Sequence, residues 1–209
     1  MPRKRATPRH LNEVIDAALF VVDEAGMDGL TIRGVAAASG VPTMTLYAYF
    51  RSKDELVELM ALSVVARLFA VTRRSTWQAT IEELCFHVRA SILAHPGWLS
   101  LLGRRELPSS PPVHEHVRAL MLGSGIPERV AARAVLEASL LSLGLAQLQL
   151  SLQRQRSAPA PGAEPAKRDL DWDGTFAATV ARWIAGLETE AVARPLTAQP
   201  RVATASSTP

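Results

Sequence analysis

The sequence predicts an all-α protein, and three observations support this fold class. Alanine, leucine and arginine dominate the 209 residues, whereas aromatic residues make up only 5%, and this mixture favours helices. Apolar residues recur three and four positions apart along most of the chain. Glycine, proline and helix-capping residues separate these runs at short intervals. A chain of this length can form one large domain or two small ones.

A basic arm over residues 1–8 precedes two predicted helices. Apolar spacing predicts the first helix over residues 9–25, and Gly26 is a natural residue to end it. Thr31 is a good N-cap for the second helix, which Gly40 ends. Both helices are amphipathic, so each is expected to bury one face.

Two structures fit the segment TMTLYAYF, residues 43–50. Its alternation of β-branched and aromatic residues is typical of a half-buried strand. A lone strand here would have no partner strand in the chain, however, and its backbone groups would go unpaired. Pro42 suits the first position of a helix, and Ser52 with Glu55 forms the capping box that starts the next one. We therefore expect a helix from Pro42 to Phe50.

This predicted helix has a buried face and an exposed face. Leu46 and Phe50 lie four positions apart and can be buried together. The other face carries small, apolar and phenolic groups with little charge. Such a surface can either pack at the rim of a small core or bind a partner. The turn at Gly40 joins two short helices into a helix-turn-helix, and this context favours a partner.

Helices are also expected through the rest of the chain. The one that starts at Ser52 is predicted to run to about residue 71. Residues 154–170 are polar and proline-rich, which is typical of a mobile loop, and residues 191–209 lack periodicity, which predicts a disordered tail. The remaining helices are expected over residues 77–94, 96–103, 112–123, 127–153 and 172–190.

Composition argues against several classes of protein. The formal net charge is only +3, so a nucleic-acid site has to be local. The single Cys85 has no cysteine partner for a disulfide or a zinc site, and we therefore expect no metal, no cofactor and a reducing, cytoplasmic setting. No apolar run approaches the roughly 20 residues of a membrane span, so we expect no membrane contact.

We also expect no enzymatic activity. His114 and His116 flank Glu115 in the sequence HEH, but residues two apart on a helix point about 200° away from each other. The sequence shows no carboxylate pair, glycine-rich phosphate loop or nucleophile elbow. A catalytic site therefore has no candidate residues.

The segment LTIRGVAAASGVPTMTLYAYFRSKDEL, residues 30–56, resembles the DNA-binding domain of TetR-family transcriptional regulators. With the preceding helix, the resemblance covers roughly residues 9–60, and the ending TLYAYFRSKDEL is its most specific part. Residues beyond about 70 carry no comparable motif. The positions that match the family's pattern are Gly26, Leu30, Thr31, Arg33, Val35, Ala36, Gly40, Val41, Leu46, Tyr47, Phe50 and Lys53.

The resemblance implies a helix-turn-helix DNA-binding domain at residues 9–56 and a helical-bundle ligand-binding and dimerisation domain at residues 57–190. It implies a repressor that binds a pseudo-palindromic operator in double-stranded DNA as a homodimer and that a small apolar or amphipathic effector releases. An activator of the same family is the alternative, because operator position decides between the two. A helical interaction protein that binds no DNA would leave the helix-turn-helix unexplained.

The resemblance places the helix from Pro42 to Phe50 in the major groove of DNA. It implies that Thr31, Tyr47 and Lys53 contact phosphates and that Arg33 reaches a base edge or a phosphate. Because this helix contains no Arg, Lys, Asn or Gln, Arg33 is expected to supply most of the guanine recognition. The candidate base readers are Thr43, Met44, Thr45 and Tyr49.

The basic arm around Arg3–Arg5 can be read in two ways. It can add minor-groove or phosphate contacts, or it can remain a solvated, disordered terminus. The sequence favours neither.

The carboxyl-terminal half is expected to supply the effector pocket and the dimer interface. Apolar stripes on helices 127–153 and 172–190 can form a four-helix interface or intrachain core. Glu137 can hold a cationic ligand or, as we prefer, pair with Arg133 four residues earlier. Ligand pockets are mostly apolar, and each candidate for the lining also fits a plain core position. These candidates are Phe69, Phe86, His87, Trp98, Met121 and Leu141.

Overall fold

The structure, a computed structural model, describes residues 8–102, 112–157 and 170–192. Over these ranges all regular structure is helical and there is no strand, which confirms the predicted all-α fold class. A 3₁₀ helix, Pro96–Ser100, lies between the fifth and sixth α-helices. The α-helices are α1 (Pro8–Gly29), α2 (Ile32–Ser39), α3 (Thr43–Leu46), α4 (Lys53–Leu68), α5 (Trp77–Ala94), α6 (Pro112–Gly123), α7 (Glu128–Ser157) and α8 (Trp172–Val192).

α2 lies between the predicted Thr31 and Gly40, whereas α1 begins one residue before its predicted start and continues past a kink to Gly29 instead of ending at residue 25. Gly26 interrupts α1 with a left-handed φ of 68°, a conformation that glycine adopts without steric penalty. Ser52 caps α4, since its Oγ accepts a hydrogen bond from the backbone N–H of Glu55 at 3.1 Å. The carboxylate of Glu55 accepts from the backbone N–H of Arg51 at 2.6 Å. The reciprocal half of the capping box therefore uses the residue before the N-cap.

The predicted ends of α4 and of the helix 96–103 are also wrong. α4 ends at Leu68 rather than near residue 71, because the backbone N–H of Thr72 donates to the Glu83 carboxylate at 3.0 Å instead of to a helical carbonyl. The predicted helix 96–103 is the shorter 3₁₀ helix. Its hydrogen bonds span three residues, as in the 3.1 Å bond from the N–H of Trp98 to the carbonyl of His95.

The last two helices are longer than predicted. α7 continues through Ser157, so the prediction of a loop from residue 154 is wrong for its first four residues. Arg154 and Arg156 in this last turn suit the negative end of the helix dipole. α8 extends to Val192, two residues into the predicted tail. Residues 1–7, 158–169 and 193–209 lie outside the described part, so the arm and the rest of the loop and tail remain predictions.

The apolar part of α7 is also longer than expected, since the sequence predicted no apolar run of nearly 20 residues. An 18-residue window of this helix has a mean hydropathy of 1.4, so the helix could cross a membrane by length and composition alone. Core helices of soluble proteins pass the same test. Within the chain, however, only 33% of that window is buried, which leaves much of its apolar surface uncovered.

One apolar cluster extends from α1 to α8, and a polar contact fixes α1 to the 3₁₀ helix beside it. The carboxylate of Asp23 accepts from the backbone N–H of Gly97 at 3.1 Å and lies 2.7 Å from Nδ1 of His95. The His95 ring stacks on Trp98 with 4.5 Å between centroids. A Cβ added to Gly97 would lie 2.8 Å from both Asp23 Oδ1 and the carbonyl oxygen of Val22. Only glycine fits there.

Candidate nucleic-acid interface

The turn between α2 and α3 is held by local hydrogen bonds. The Oγ1 of Thr31 accepts from the backbone N–H of Gly34 at 3.0 Å and caps α2, as predicted. Gly40 ends α2 with a left-handed φ of 68°. Ser39 Oγ donates to the carbonyl of Val35 at 2.7 Å and accepts from the N–H of Val41 at 3.3 Å. These bonds fix the direction in which the chain enters α3.

α3 is shorter than the predicted helix from Pro42 to Phe50. Its α-helical part covers only four residues, Thr43–Leu46. After it, hydrogen bonds switch to three-residue spacing, as in the 2.8 Å bond from the N–H of Tyr49 to the carbonyl of Leu46. The segment still winds in the helical sense, and Leu46 and Phe50 are both buried. The prediction of a helical rather than a strand conformation is therefore confirmed.

The outer face of α3 displays three of the predicted DNA-contacting side chains. Met44 is 83% exposed and Tyr47 is 42% exposed, and Thr45 is exposed beside them. Thr43 and Tyr49 are only half-buried, and Tyr49 packs against the core. The outer face thus presents a thioether, a hydroxyl and a phenol, whereas Tyr49 is turned partly inward.

Three exposed cations lie on the segments that flank α3 in the chain. Arg33 on α2 and Lys53 in the first turn of α4 were predicted from the sequence, and both are exposed. Arg51 is exposed between α3 and α4, and the sequence interpretation did not include it. Its backbone N–H is held by Glu55, so the main chain that carries its side chain is fixed. Its position directly between the predicted helix from Pro42 to Phe50 and the capping box at Ser52 was the signal in the sequence.

The six predicted effector-binding residues lie in different surroundings. Trp98 and Met121 are buried, and Phe69, His87 and Leu141 are half-buried. Nε2 of His87 lies 2.8 Å from the backbone carbonyl oxygen of Arg67. A groove of about 540 Å³ between α7 and α8 contains none of the six; its lining residues are Glu137, Trp183, Gly186, Leu187, Thr189 and Glu190. The effector-binding role of the six residues remains a prediction.

Some polar groups of the carboxyl-terminal half face the core. Among the described residues, Nε1 of Trp98 and Nε2 of His114 are buried without a hydrogen-bond partner. Burial lowers the pKa of His114. Burial also raises the pKa of the Cys85 thiol to about 11. Glu137 pairs with Arg133 at 2.7 Å, as preferred from the sequence.

Comparison with known proteins assigns the amino-terminal part of the chain. Residues 14–60 match the family described as bacterial regulatory proteins, tetR family. Residues 14–60 form a tetR-family domain. The match covers most of α1, the helix-turn-helix and the first half of α4, and so includes the described geometry around Thr31, Gly40 and Tyr47.

Curated TetR-family relatives align with only part of this chain and with only part of their own length. The HTH-type transcriptional repressor DrrR1 of Streptomyces coeruleorubidus is 32% identical over 145 residues, which are 66% of this chain and 53% of that protein. The tetracycline repressor protein class D of Escherichia coli is 32% identical over 85 residues, 39% of each chain. The chain therefore spans about half or less of the length of these relatives.

Solved TetR-family structures resemble the whole described fold. A TetR variant from Acinetobacter baumannii, in complex with minocycline, has a TM-score of 0.65 at 22% identity and covers 86% of this chain and 97% of its own. Apo ActR from Streptomyces coelicolor has a TM-score of 0.65 at 23% identity and covers 91% and 99%. These matches show the fold: an amino-terminal helix-turn-helix followed by a larger helical domain.

Proposed function

We propose that this protein is a ligand-responsive repressor of transcription that binds a pseudo-palindromic operator as a homodimer in the cytoplasm and is released by a small apolar or amphipathic effector. The observation that carries the proposal is the exposed outer face of α3, framed by cations, within a TetR-family domain. The curated relatives are themselves a transcriptional repressor and tetracycline repressors. Their names support repression over activation.

The exposed groups around α3 divide by chemistry into two sets. Tyr47, Lys53 and Arg51 offer hydrogen-bond donors at the rim, which suits contacts to phosphates. Met44 and Thr45 lie on the outer face, where a methyl group or a hydroxyl can contact thymine methyls and base edges. In addition, Thr31 is expected from the sequence to contact a phosphate, and Arg33 to contact guanine.

The surface of α7 supports a homodimer. Leu136, Leu140 and Leu148 are 50%, 60% and 49% exposed, and Gly144 between them is exposed with open space around its Cα. These four residues repeat at intervals of four, so they form one ridge along the helix. A ridge of leucines interrupted by glycine suits close contact with a second helix. The groove between α7 and α8, with Trp183 on its wall, continues this surface.

The proposed response to an effector is a shift between two spacings of the recognition segments. A coupling free energy of about 1–3 kcal/mol is typical of such responses. Two contacts can transmit the shift: the joint of Asp23 with Gly97, and Arg67 near the end of α4. The side chain of Arg67 pairs with Asp16 on α1, while its carbonyl oxygen faces His87 on α5. Movement of α5 is therefore communicated to α1.

Selection from sheared genomic DNA tests the proposal. The purified protein is expected to enrich one short palindrome, and the double variant Arg33→Ala/Tyr47→Ala is expected to lose it. Arg129→Ala, which removes an exposed arginine at the start of α7, is the matched control and should retain it. If wild type enriches nothing at low salt, even after unfolding and refolding to remove a bound ligand, the DNA-binding proposal fails.

Sedimentation tests the dimer separately. Leu140→Glu places a charge in the proposed interface and should convert the protein to monomers. Leu122→Glu on α6, whose leucine is also exposed (38%) but lies off the α7 ridge, should leave the dimer intact. A monomeric wild type, or a dimer that survives Leu140→Glu, would exclude this interface.

A further inference from the structure

Arg89 places a charged group in the interior of the carboxyl-terminal half. Its side chain on α5 is only 9% exposed. Nη2 donates to Oε1 of Gln149 on α7 and to Oδ1 of Asp173 on α8, each at 2.8 Å. The guanidinium carbon lies 4.8 Å from the ring centroid of Phe176. Burial of a cation is costly unless it is well paired.

The pairing of Arg89 is incomplete. Both hydrogen bonds leave the same nitrogen, and Asp173 uses only one carboxylate oxygen. Within residues 8–102, 112–157 and 170–192, no hydrogen bond is formed by Nη1 or Nε. A guanidinium offers a planar fork that holds a carboxylate by two parallel bonds. The side chain of Asp173 is 89% exposed, so the solvent screens this ion pair from one side.

An apolar wall lies next to the guanidinium. Phe176 is buried, and Phe86 meets it edge to face with 5.1 Å between centroids. Phe86 precedes Arg89 by one helical turn and is itself 37% exposed. The site therefore offers a cation, an amide acceptor or donor from Gln149, and an aromatic surface that water can reach. This combination matches a carboxylate attached to a flat apolar body.

We propose that Arg89 anchors an anionic effector, a carboxylate on a flat apolar body, and that Asp173 occupies the anchor in the free protein. The inference rests on the proposed function, because it names the class of effector for that regulator. The effector carboxylate would replace that of Asp173, which turns to the solvent, while the apolar body lies against Phe86. No net charge is added to the buried site, since one carboxylate replaces another.

The replacement also connects the effector to the proposed dimer surface. Asp173 lies in the first turn of α8, and its bond to Arg89 ties this turn to α5. Release of that bond frees the start of α8 relative to α5 and α7. Trp183 and Leu187 farther along α8 line the groove beside the α7 ridge. Effector binding at Arg89 would therefore reach the interface through α8.

Calorimetry with matched acids and amides tests the anchor. The probes are benzoate, salicylate and 1-naphthoate, each against its amide, titrated into the full-length protein. Wild type should bind at least one acid at least tenfold more tightly than its amide. Arg89→Gln should abolish this preference, and Asp173→Asn should strengthen acid binding severalfold because it removes the internal competitor. Asp171→Asn is the control; its side chain caps α8 through the N–H of Gly174 at 2.9 Å, and it should change nothing.

The two variants should change acid binding in opposite directions if Arg89 binds the effector. If the Arg89–Asp173 pair only holds α8 in place, Arg89→Gln and Asp173→Asn should lose stability alike and neither should affect acid binding. Equal affinity for acids and amides in wild type and Asp173→Asn overturns the inference. If Arg89→Gln does not fold, Arg89→Lys keeps the charge without the fork and should still weaken acid binding.

Operator selection distinguishes failure of the anchor from failure of the regulator. Wild type that enriches a palindrome but prefers no acid refutes the anchor alone. Wild type that binds an acid through Arg89 but enriches no palindrome refutes the regulator and keeps the binding site.

Discussion

The two halves of the molecule differ in where they place polar side chains. Among the described side chains of residues 11–60, every buried one is apolar, and the polar and cationic groups lie outside around α3. The carboxyl-terminal half also has an apolar core, but it buries some polar residues within it and exposes leucines along α7. Those buried polar residues are Thr80, Arg89, Ser139, Ser142 and Gln149.

The buried polar residues are themselves of two kinds. Thr80, Ser139 and Ser142 donate to carbonyls four residues earlier on their own helices, at 3.0, 2.7 and 2.7 Å. Such bonds satisfy a hydroxyl without involving another helix. Arg89 and Gln149 instead bond to each other across α5 and α7. The comparison teaches that the first half has an entirely apolar core and carries its candidate functional groups on the surface. The second half instead keeps a specific polar interaction between two helices in its interior.

Phe50→Ala should show the largest effect. The ring is buried at the base of α3, and removal of such a ring costs about 3–5 kcal/mol of unfolding free energy. Urea denaturation would measure the loss, and operator binding should disappear with it. Tyr47→Ala removes a partly exposed ring beside Phe50, with 6.3 Å between centroids, and should lose operator binding while unfolding changes by less than about 1 kcal/mol. Equal destabilisation by both variants would contradict the separation of core and surface in this half.

Gly97→Ala should come next and act on the joint between the halves. The added methyl group meets Asp23 and the backbone of Val22, and overpacking of this kind costs about 1–3 kcal/mol. Thermal unfolding would measure it. Gly123→Ala, where a Cβ has open space, is the control and should not destabilise the protein. If Gly97→Ala unfolds like wild type, α1 and the 3₁₀ helix are not closely apposed.

Gly144→Ala should have two small effects of opposite sign. Alanine in place of a helical glycine stabilises a helix by about 0.5–1 kcal/mol, and the space around Gly144 is open within the chain. In the proposed dimer the methyl group would hinder close contact between helices, so self-association should weaken. Unfolding and sedimentation at matched concentrations would measure the two effects. Stronger self-association would place the interface elsewhere.

His114→Phe should make the unfolding free energy depend less on pH in acid. Burial lowers the pKa of His114 in the folded protein, so the unfolded chain binds the proton more readily. The unfolding free energy of wild type should therefore fall as pH drops below about 6.5, by at most about 1.4 kcal/mol per pH unit from this group. Denaturation curves from pH 5 to 8 should show a shallower fall in the variant. Parallel curves throughout would mean that His114 is not buried as a neutral ring.

Local interactions were predictable from the sequence and distant ones were not. Thr31, Gly40 and Ser52 act within three or four residues of themselves, so their cap and turn roles could be predicted from spacing alone. The Asp23–Gly97 and Arg89–Asp173 contacts join residues 74 and 84 positions apart, and no spacing rule relates them.

The effector candidates illustrate a second limit. Apolar residues such as Met121 fit a pocket wall and a core position equally well in a sequence, because both environments exclude water. The end of α3 after four residues was also not predictable, because the burial of Leu46 and Phe50 fits a continuous α-helix as well as the turn that follows α3. The phosphate and base contacts around α3 remain predictions that follow from the family resemblance and from exposure.

The leucine ridge of α7 also has a consequence for a newly synthesised chain that has not yet formed a dimer. Until a second copy arrives, a monomer presents a long apolar strip that a membrane surface or an unfolded neighbour could cover just as well. If dimerisation covers it, thermal unfolding should shift to higher temperature as the protein concentration rises. The number of copies per cell would then set how much of the protein is folded, as well as how much operator is occupied.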